Sequence, residues 1–153
     1  MFKRQCLWKS FCNAMRGCKT AVREERNMRI ALCFFPPVLA YGIFVQLSRT
    51  EFAAVIICLF AVCLAELLNS GIENAVDSVV KKYNESARKA KDMGAGASLA
   101  ASLMSVAVGA VILYRPAQLW RVALLLKNPL FLAAVGVYIA LSVLFIIKGG
   151  TNE

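Results

Sequence analysis

The sequence predicts an all-α integral membrane protein: an N-terminal amphipathic surface helix, three transmembrane helices and an additional C-terminal transmembrane helix. Of its 153 residues, 59% are apolar and only 18% charged, whereas soluble domains average about 45–50% and about 25%. The apolar residues form runs long enough to cross a bilayer, and most Lys and Arg lie between these runs. This segregation excludes a disordered or nucleic-acid-binding tail protein, whose chain would be polar throughout.

Residues 1–29 predict an amphipathic cytoplasmic surface helix. They hold eight of the 18 Lys and Arg residues and lack the apolar core of a secretory signal peptide. Apolar side chains recur every three or four residues and share one helical face, namely Leu7, Phe11, Ala14, Cys18, Ala21 and Val22. A basic helix with one apolar face lies in the plane of the lipid headgroups.

Residues 30–114 predict a core of three transmembrane helices. The apolar runs cover residues 30–48, 52–68 and 93–114, and about 20 residues suffice for a bilayer. The first run contains Pro36 and Pro37, which predict a kink, and the second continues as a helix to about Val80. Residues 115–153 form a C-terminal extension in which 130–147 can span, while 116–129 either cross with them or lie along the interface.

The distribution of basic residues predicts the orientation. The loop between the first two spans holds only Arg49, whereas residues 81–91 hold five Lys and Arg. By the positive-inside rule, the N-terminus and the 81–91 loop are cytoplasmic. A fourth span would place the C-terminus in the cytoplasm as well.

The chemistry is expected at the end of the second span. Glu66 follows fourteen residues without a charge, and a carboxylate at such depth suggests a functional role. Further polar side chains share its stripe of the helix, about 100° wide, namely Asn69, Ser70, Glu73 and Asp77. Carboxylates on one stripe repel one another unless a cation or a shared proton intervenes. Mg²⁺ is the natural candidate, because it takes carboxylate and phosphate oxygens together.

Two other interpretations of the stripe remain open at this point. It could be a polar packing seam between helices or the lining of an ion-conducting path. The following loop carries Lys81, Lys82, Arg88, Lys89 and Lys91, which suit a polyphosphate but are also routine on a cytoplasmic face. The chain has no Walker A motif and no G-x-G-x-x-G motif.

The motifs resemble those of the prokaryotic diacylglycerol kinase family, small integral-membrane lipid kinases. The family pattern E-x-x-N-[ST]-x-I-E-x-x-x-D matches residues 66–77, and A-K-D-M-G matches residues 90–94. An upstream block, from Glu25 to Ile30, also resembles the family. The resemblance covers about residues 5–114, so the extension has no counterpart and is expected to be dispensable for chemistry.

The resemblance implies a homotrimer with shared active sites in the cytoplasmic membrane of a bacterium. Glu66 would be the catalytic base at the lipid hydroxyl, with Asn69 beside it in the substrate site. Glu25 and Glu73 would bind Mg²⁺, the implied cofactor. The implied ATP-binding residues are Glu25, Arg29, Glu73, Asp77, Lys91 and Asp92.

The implied reaction is ATP-dependent phosphorylation of diacylglycerol to phosphatidic acid. The alternative substrate is undecaprenol. The Glu-Arg-Asn-x-Arg pattern of residues 25–29 is closer to the Gram-positive branch of the family, and many members of that branch act on undecaprenol. Ala14 and Ala95 stand where some diacylglycerol kinases have Ser. A non-enzymatic membrane scaffold or channel is the remaining alternative, disfavoured by the intact set of polar residues.

Overall fold

The computed structural model describes residues 7–149, and all regular secondary structure in that range is helical. The helices are α1 (Leu7–Glu24), α2 (Arg26–Phe44), α3 (Arg49–Val79), α4 (Glu85–Leu113), α5 (Pro116–Leu125) and α6 (Pro129–Lys148). Four of them, α2, α3, α4 and α6, are long and apolar enough to cross a membrane. The predicted all-α membrane fold with a fourth C-terminal span is therefore confirmed. The outermost parts of the predicted segments, 1–6 and 150–153, lie outside the described residues.

The surface helix ends earlier than the sequence pattern predicts. α1 stops at Glu24, Glu25 is extended (φ −93°, ψ 117°), and α2 begins at Arg26. The apolar side chains along α1 are largely exposed, and Leu7 reaches 89%, as expected for a helix that lies against lipid. The Glu25 side chain makes no capping hydrogen bond and instead accepts one from Ser70 of α3.

α2 continues through both of its prolines and depends on α6 for one hydrogen bond. Pro37 has no N–H, so the carbonyl of Cys33 loses its usual helical donor four residues later. The Tyr138 hydroxyl of α6 donates to this Cys33 carbonyl at 2.5 Å. In a hydrocarbon environment an unpaired carbonyl is costly, so Tyr138 stabilises the span that the prolines weaken.

Arg29 joins α1, α2 and α6 at one end of the bundle. Its side chain is buried, and its Nη1 donates to the carbonyls of Val22 and Arg23 at 3.1 and 2.6 Å. Its Nε donates to the carbonyl of Ile146 at 3.1 Å. These are carbonyls from the last turns of α1 and α6, which lack helical partners. The last turn of α6 therefore lies beside the first turn of α2, and the two helices run antiparallel.

The opposite end of the bundle is closed by polar contacts of its own. Ser48 and Glu51 form a capping box at the start of α3, and Glu51 also pairs with Arg115, directly after α4. The Tyr41 hydroxyl of α2 donates to the Leu113 carbonyl at 3.2 Å. The following α5 has ten residues, too few to cross a bilayer. Of the two alternatives for residues 116–129, the structure favours a segment outside the spans.

Candidate active site

A groove of about 600 Å³ runs along the membrane helices between α2, α3 and α4. Most of its wall is apolar, with aromatic and branched side chains such as Phe34, Phe35 and Leu59. Its polar groups include Glu66, Asn69 and Ser98. Apolar walls with a few placed polar groups are typical of a small-molecule site. Here the shape suits the chain of a lipid.

Glu66 is the charged group that lines this groove. The residue is only 8% exposed, and its Oε1 accepts a hydrogen bond from the hydroxyl of Ser98 in α4. Within residues 7–149 no Lys or Arg forms an ion pair with it. A carboxylate in this position can accept a proton from a hydroxyl group held in the groove.

Asn69 lies one turn beyond Glu66 and is held between α3 and α4. Its Nδ2 donates to Glu73 Oε1 at 3.0 Å. Its Oδ1 is buried with no hydrogen-bond partner, and it faces the backbone of Gly94, where an added Cβ would stand 2.6 Å away. The absence of a side chain at Gly94 thus allows α3 and α4 to approach each other closely at this point. An unsatisfied buried oxygen in a native site calls for an explanation such as an absent ligand.

Glu25 and Glu73, the two predicted metal ligands, each accept a hydrogen bond from a side chain of α3, and the two donors are adjacent in sequence. The Ser70 hydroxyl donates to Glu25 Oε1 at 2.9 Å, and Asn69 holds Glu73 as described. Asn74 supports Ser70 by donating to its carbonyl at 2.9 Å. The structure therefore brings Glu25, 45 residues upstream of Ser70, to the polar stripe of α3.

Glu25 and Glu73 are ligands of the type that a magnesium ion takes together with a substrate. Among the described residues there is no group of three or more His, Cys, Asp or Glu side chains that could hold a metal. Mg²⁺, however, is usually bound through one or two carboxylates together with substrate phosphates and water. Glu25 and Glu73 each use one oxygen in the hydrogen bonds above, and their second oxygens receive none from residues 7–149.

Beyond the groove, paired charges join the end of α3 to the start of α4. Lys91 Nζ donates to both carboxylate oxygens of Asp77, at 2.9 and 3.0 Å. Arg88 pairs with Asp92 at 2.8 Å on the same helix. Lys91 precedes the apolar part of α4, and its hydrogen bond to Asp77 raises the pKa of the ammonium above its usual value. Lys91 therefore stays protonated at neutral pH.

Arg29 is linked to one other predicted nucleotide-binding residue, because its backbone N–H donates to the carbonyl of Glu25 at 3.3 Å. As described above, its Nε and Nη1 donate to backbone carbonyls. The structure places Glu66 and Asn69 in the wall of the groove. It bonds Glu73 to Asn69 and Glu25 to Ser70 on α3, and it joins Asp77 to Lys91. It gives Arg29 a role in joining helices.

Sequence reasoning missed Ser98. The residue is 5% exposed and is 32 positions away from Glu66, so no local motif connects the two. A signal was nevertheless present, because Ser98, Ser102 and Ser105 recur at helical spacing on an otherwise apolar segment. All three line the groove.

Comparisons with known proteins identify the family of the chain. The family described as prokaryotic diacylglycerol kinase matches residues 12–113. The chain is 34% identical over 105 residues to the undecaprenol kinase of Bacillus subtilis (strain 168), covering 69% of this chain and 85% of that one. It is 34% identical over 108 residues to the diacylglycerol kinase of Synechocystis, covering 70% of this chain and 62% of the relative.

A third relative is the diacylglycerol kinase of Pseudomonas aeruginosa, 33% identical over 117 residues that cover 73% of this chain and 94% of the relative. No solved structure matches the chain. The apolar helices and the family match together define a multi-pass membrane enzyme that phosphorylates a lipid. The chain belongs to the prokaryotic diacylglycerol kinase family, and its substrates are a membrane lipid and ATP.

Proposed function

We propose that the protein transfers the γ-phosphate of ATP to diacylglycerol, giving phosphatidic acid, at the cytoplasmic face of a bacterial inner membrane. The observation that carries this proposal is the buried carboxylate of Glu66 in an apolar groove between membrane helices. A lipid can place its chains along the groove and its hydroxyl against Glu66. The basic residues of α1 and of the 81–91 loop support the cytoplasmic orientation.

In the proposed mechanism Glu66 accepts the proton of the lipid hydroxyl as the hydroxyl oxygen attacks the γ-phosphorus of ATP. The bond from the γ-phosphorus to the β–γ bridging oxygen breaks, and ADP leaves. Asn69 orients the hydroxyl, using the amide that Glu73 fixes. The groove excludes water, which would otherwise compete with the lipid for the phosphate. Lys91, held by Asp77, would attract the phosphate chain, and Asp92 would keep Arg88 in place beside it.

Glu25 and Glu73 are the residues that would hold Mg²⁺. When bound, the ion neutralises charge on the phosphate oxygens during transfer. Both carboxylates are fixed by hydrogen bonds from α3, so they would be ordered before the ion arrives. Arg29 would contribute to the nucleotide site through the α1–α2 junction that it secures.

Ser102 supports a glycerolipid as the substrate. It lines the groove four residues beyond Ser98, about 6 Å along the helix, and its hydroxyl donates to none of the described residues. Diacylglycerol carries ester carbonyls close to its free hydroxyl, and these can accept a hydrogen bond from Ser102. A polyprenol has no such carbonyl.

Undecaprenol remains the second candidate, and the specific observation in its favour is the similarity to the Bacillus subtilis undecaprenol kinase. Purified protein should be incubated with labelled ATP, Mg²⁺ and each lipid separately. Phosphatidic acid as the faster product supports the proposal, and faster formation of undecaprenyl phosphate contradicts it. Absence of both products would favour a non-enzymatic scaffold or channel.

We further propose that the protein works as a homotrimer with active sites shared between subunits. The resemblance implies this assembly, and exposed apolar side chains along α3, including Ile57, Phe60 and Leu64, offer a surface for neighbouring copies. Light scattering of the detergent-purified protein measures the subunit number, and a monomer with full activity would contradict the proposal.

A further inference from the structure

We propose that Ser98 is a positioning residue that holds the Glu66 carboxylate in the orientation needed to accept the lipid proton. This inference rests on the proposed function of Glu66 as the general base. The Ser98 hydroxyl donates to Glu66 Oε1, both residues are buried, and both line the groove. No part of the kinase motif includes Ser98.

The Glu66 carboxylate has little else to fix it. In residues 7–149, Ser98 is its sole hydrogen-bond donor, and Oε2 receives no hydrogen bond. A Glu side chain has several rotatable bonds and would adopt many orientations without a partner. Because Ser98 engages one oxygen, the other stays available to a hydroxyl in the groove.

The contact also gives the buried carboxyl group a hydrogen-bond partner. A polar group buried in an apolar environment is costly unless it is hydrogen-bonded. Ser98 supplies this partner from α4. Its own helix is anchored nearby, because α4 packs closely on α3 at Gly94.

Ser98 therefore acts on the reaction through Glu66 rather than on the lipid directly. Its loss should lower kcat and leave the KM values for lipid and ATP nearly unchanged. A residue that merely shaped the groove would instead change the KM for the lipid. If Ser98 only packed α4 on α3, its replacement would lower the melting temperature, and activity would fall only as far as the amount of folded protein falls.

The decisive comparison is Ser98→Thr against Ser98→Val, two side chains of nearly equal shape that differ in the hydroxyl group. Each variant is purified as the full chain in detergent and assayed with labelled ATP and dioctanoylglycerol, with the melting temperature measured on the same sample. Ser86→Ala is the control, because Ser86 is an exposed serine in the first turn of the same helix.

We expect kcat of Ser98→Val to fall about tenfold below that of Ser98→Thr, since small displacements of a reacting group cost one to two orders of magnitude. Ser98→Ala should match the Val variant. Equal kcat values for Thr and Val, or an effect confined to the KM for lipid, would overturn the inference. Glu66→Gln is measured in parallel. If this variant stays active, the proposed base itself is wrong. If it is inactive while the Ser98 variants all keep the wild-type kcat, only the role of Ser98 is refuted.

Discussion

The backbone of Gly94 in α4 lies so close to Asn69 in α3 that a Cβ on Gly94 would stand 2.6 Å from Asn69 Oδ1. Atoms of packed side chains do not approach so closely without displacement. Asn69 cannot easily turn aside, because its Nδ2 is bonded to Glu73. The glycine therefore sets the distance between the two helices beside the proposed active site.

Gly94→Ala should lower both the thermal stability and the phosphotransfer rate. Overpacking of this kind typically costs about 1–3 kcal/mol, and displacement of Asn69 would disturb Glu73. Gly96→Ala is the matched control, since a Cβ there meets nothing within 4 Å and alanine favours a helix over glycine. Similar melting temperatures and rates for the two variants would show that the close approach at Gly94 is unimportant.

Glu66→Gln should abolish activity while leaving the fold intact, because the change is nearly isosteric and Ser98 can still donate to the amide oxygen. Loss of a general base typically costs about 10²–10⁴-fold in rate. Glu51→Gln, the same substitution at the other end of α3, serves as the control, with rates expressed per folded protein. A Glu66→Gln variant that keeps more than a tenth of the rate would remove Glu66 from the mechanism.

Glu25→Gln and Glu73→Gln should each raise the Mg²⁺ concentration needed for half-maximal rate. A carboxamide is a weaker ligand for this ion than a carboxylate, whereas the hydrogen bonds from Ser70 and Asn69 can persist. Glu24→Gln is the control, because Glu24 is the exposed neighbour of Glu25. Unchanged Mg²⁺ titrations in both variants would exclude these residues as ligands.

Tyr138→Phe should lower the melting temperature and leave the rate per folded molecule unchanged. The substitution leaves the Cys33 carbonyl without its donor, and an unsatisfied buried acceptor costs about 1–3 kcal/mol. Tyr83→Phe, at an exposed loop position, provides the control. A large loss of activity without a loss of stability would contradict the expectation that residues 115–153 are dispensable for chemistry.

The structural features that depend on local residue spacing could be predicted from the sequence. The positions of Glu66, Asn69 and Glu73 on one face of α3 follow from helical geometry, and the four spans follow from the lengths of the apolar runs. The contacts of Ser98 and Arg29 could not be predicted in this way. Each depends on which turns of distant helices face one another, and this is decided by packing over the whole bundle.

The break at Glu25 shows the same limit. Residues 1–29 keep an amphipathic pattern with no proline or clear stop signal, so the pattern alone predicts one continuous helix. The observed end at Glu24 accompanies a contact with Ser70, 45 residues away. The hydrogen bond from Ser70 to Glu25 therefore accompanies an extended residue between two helices, which the helix propensities of residues 1–29 do not indicate.

The bond from Tyr138 to Cys33 has a consequence for biosynthesis. The two residues are 105 positions apart, so α2 leaves the ribosome well before its donor has been translated. During that interval α2 enters the lipid with one backbone carbonyl unmatched by a helical donor. The nascent α2 should accordingly hold its final position only after α6 has been inserted beside it, which makes α6 a partner in the maturation of α2.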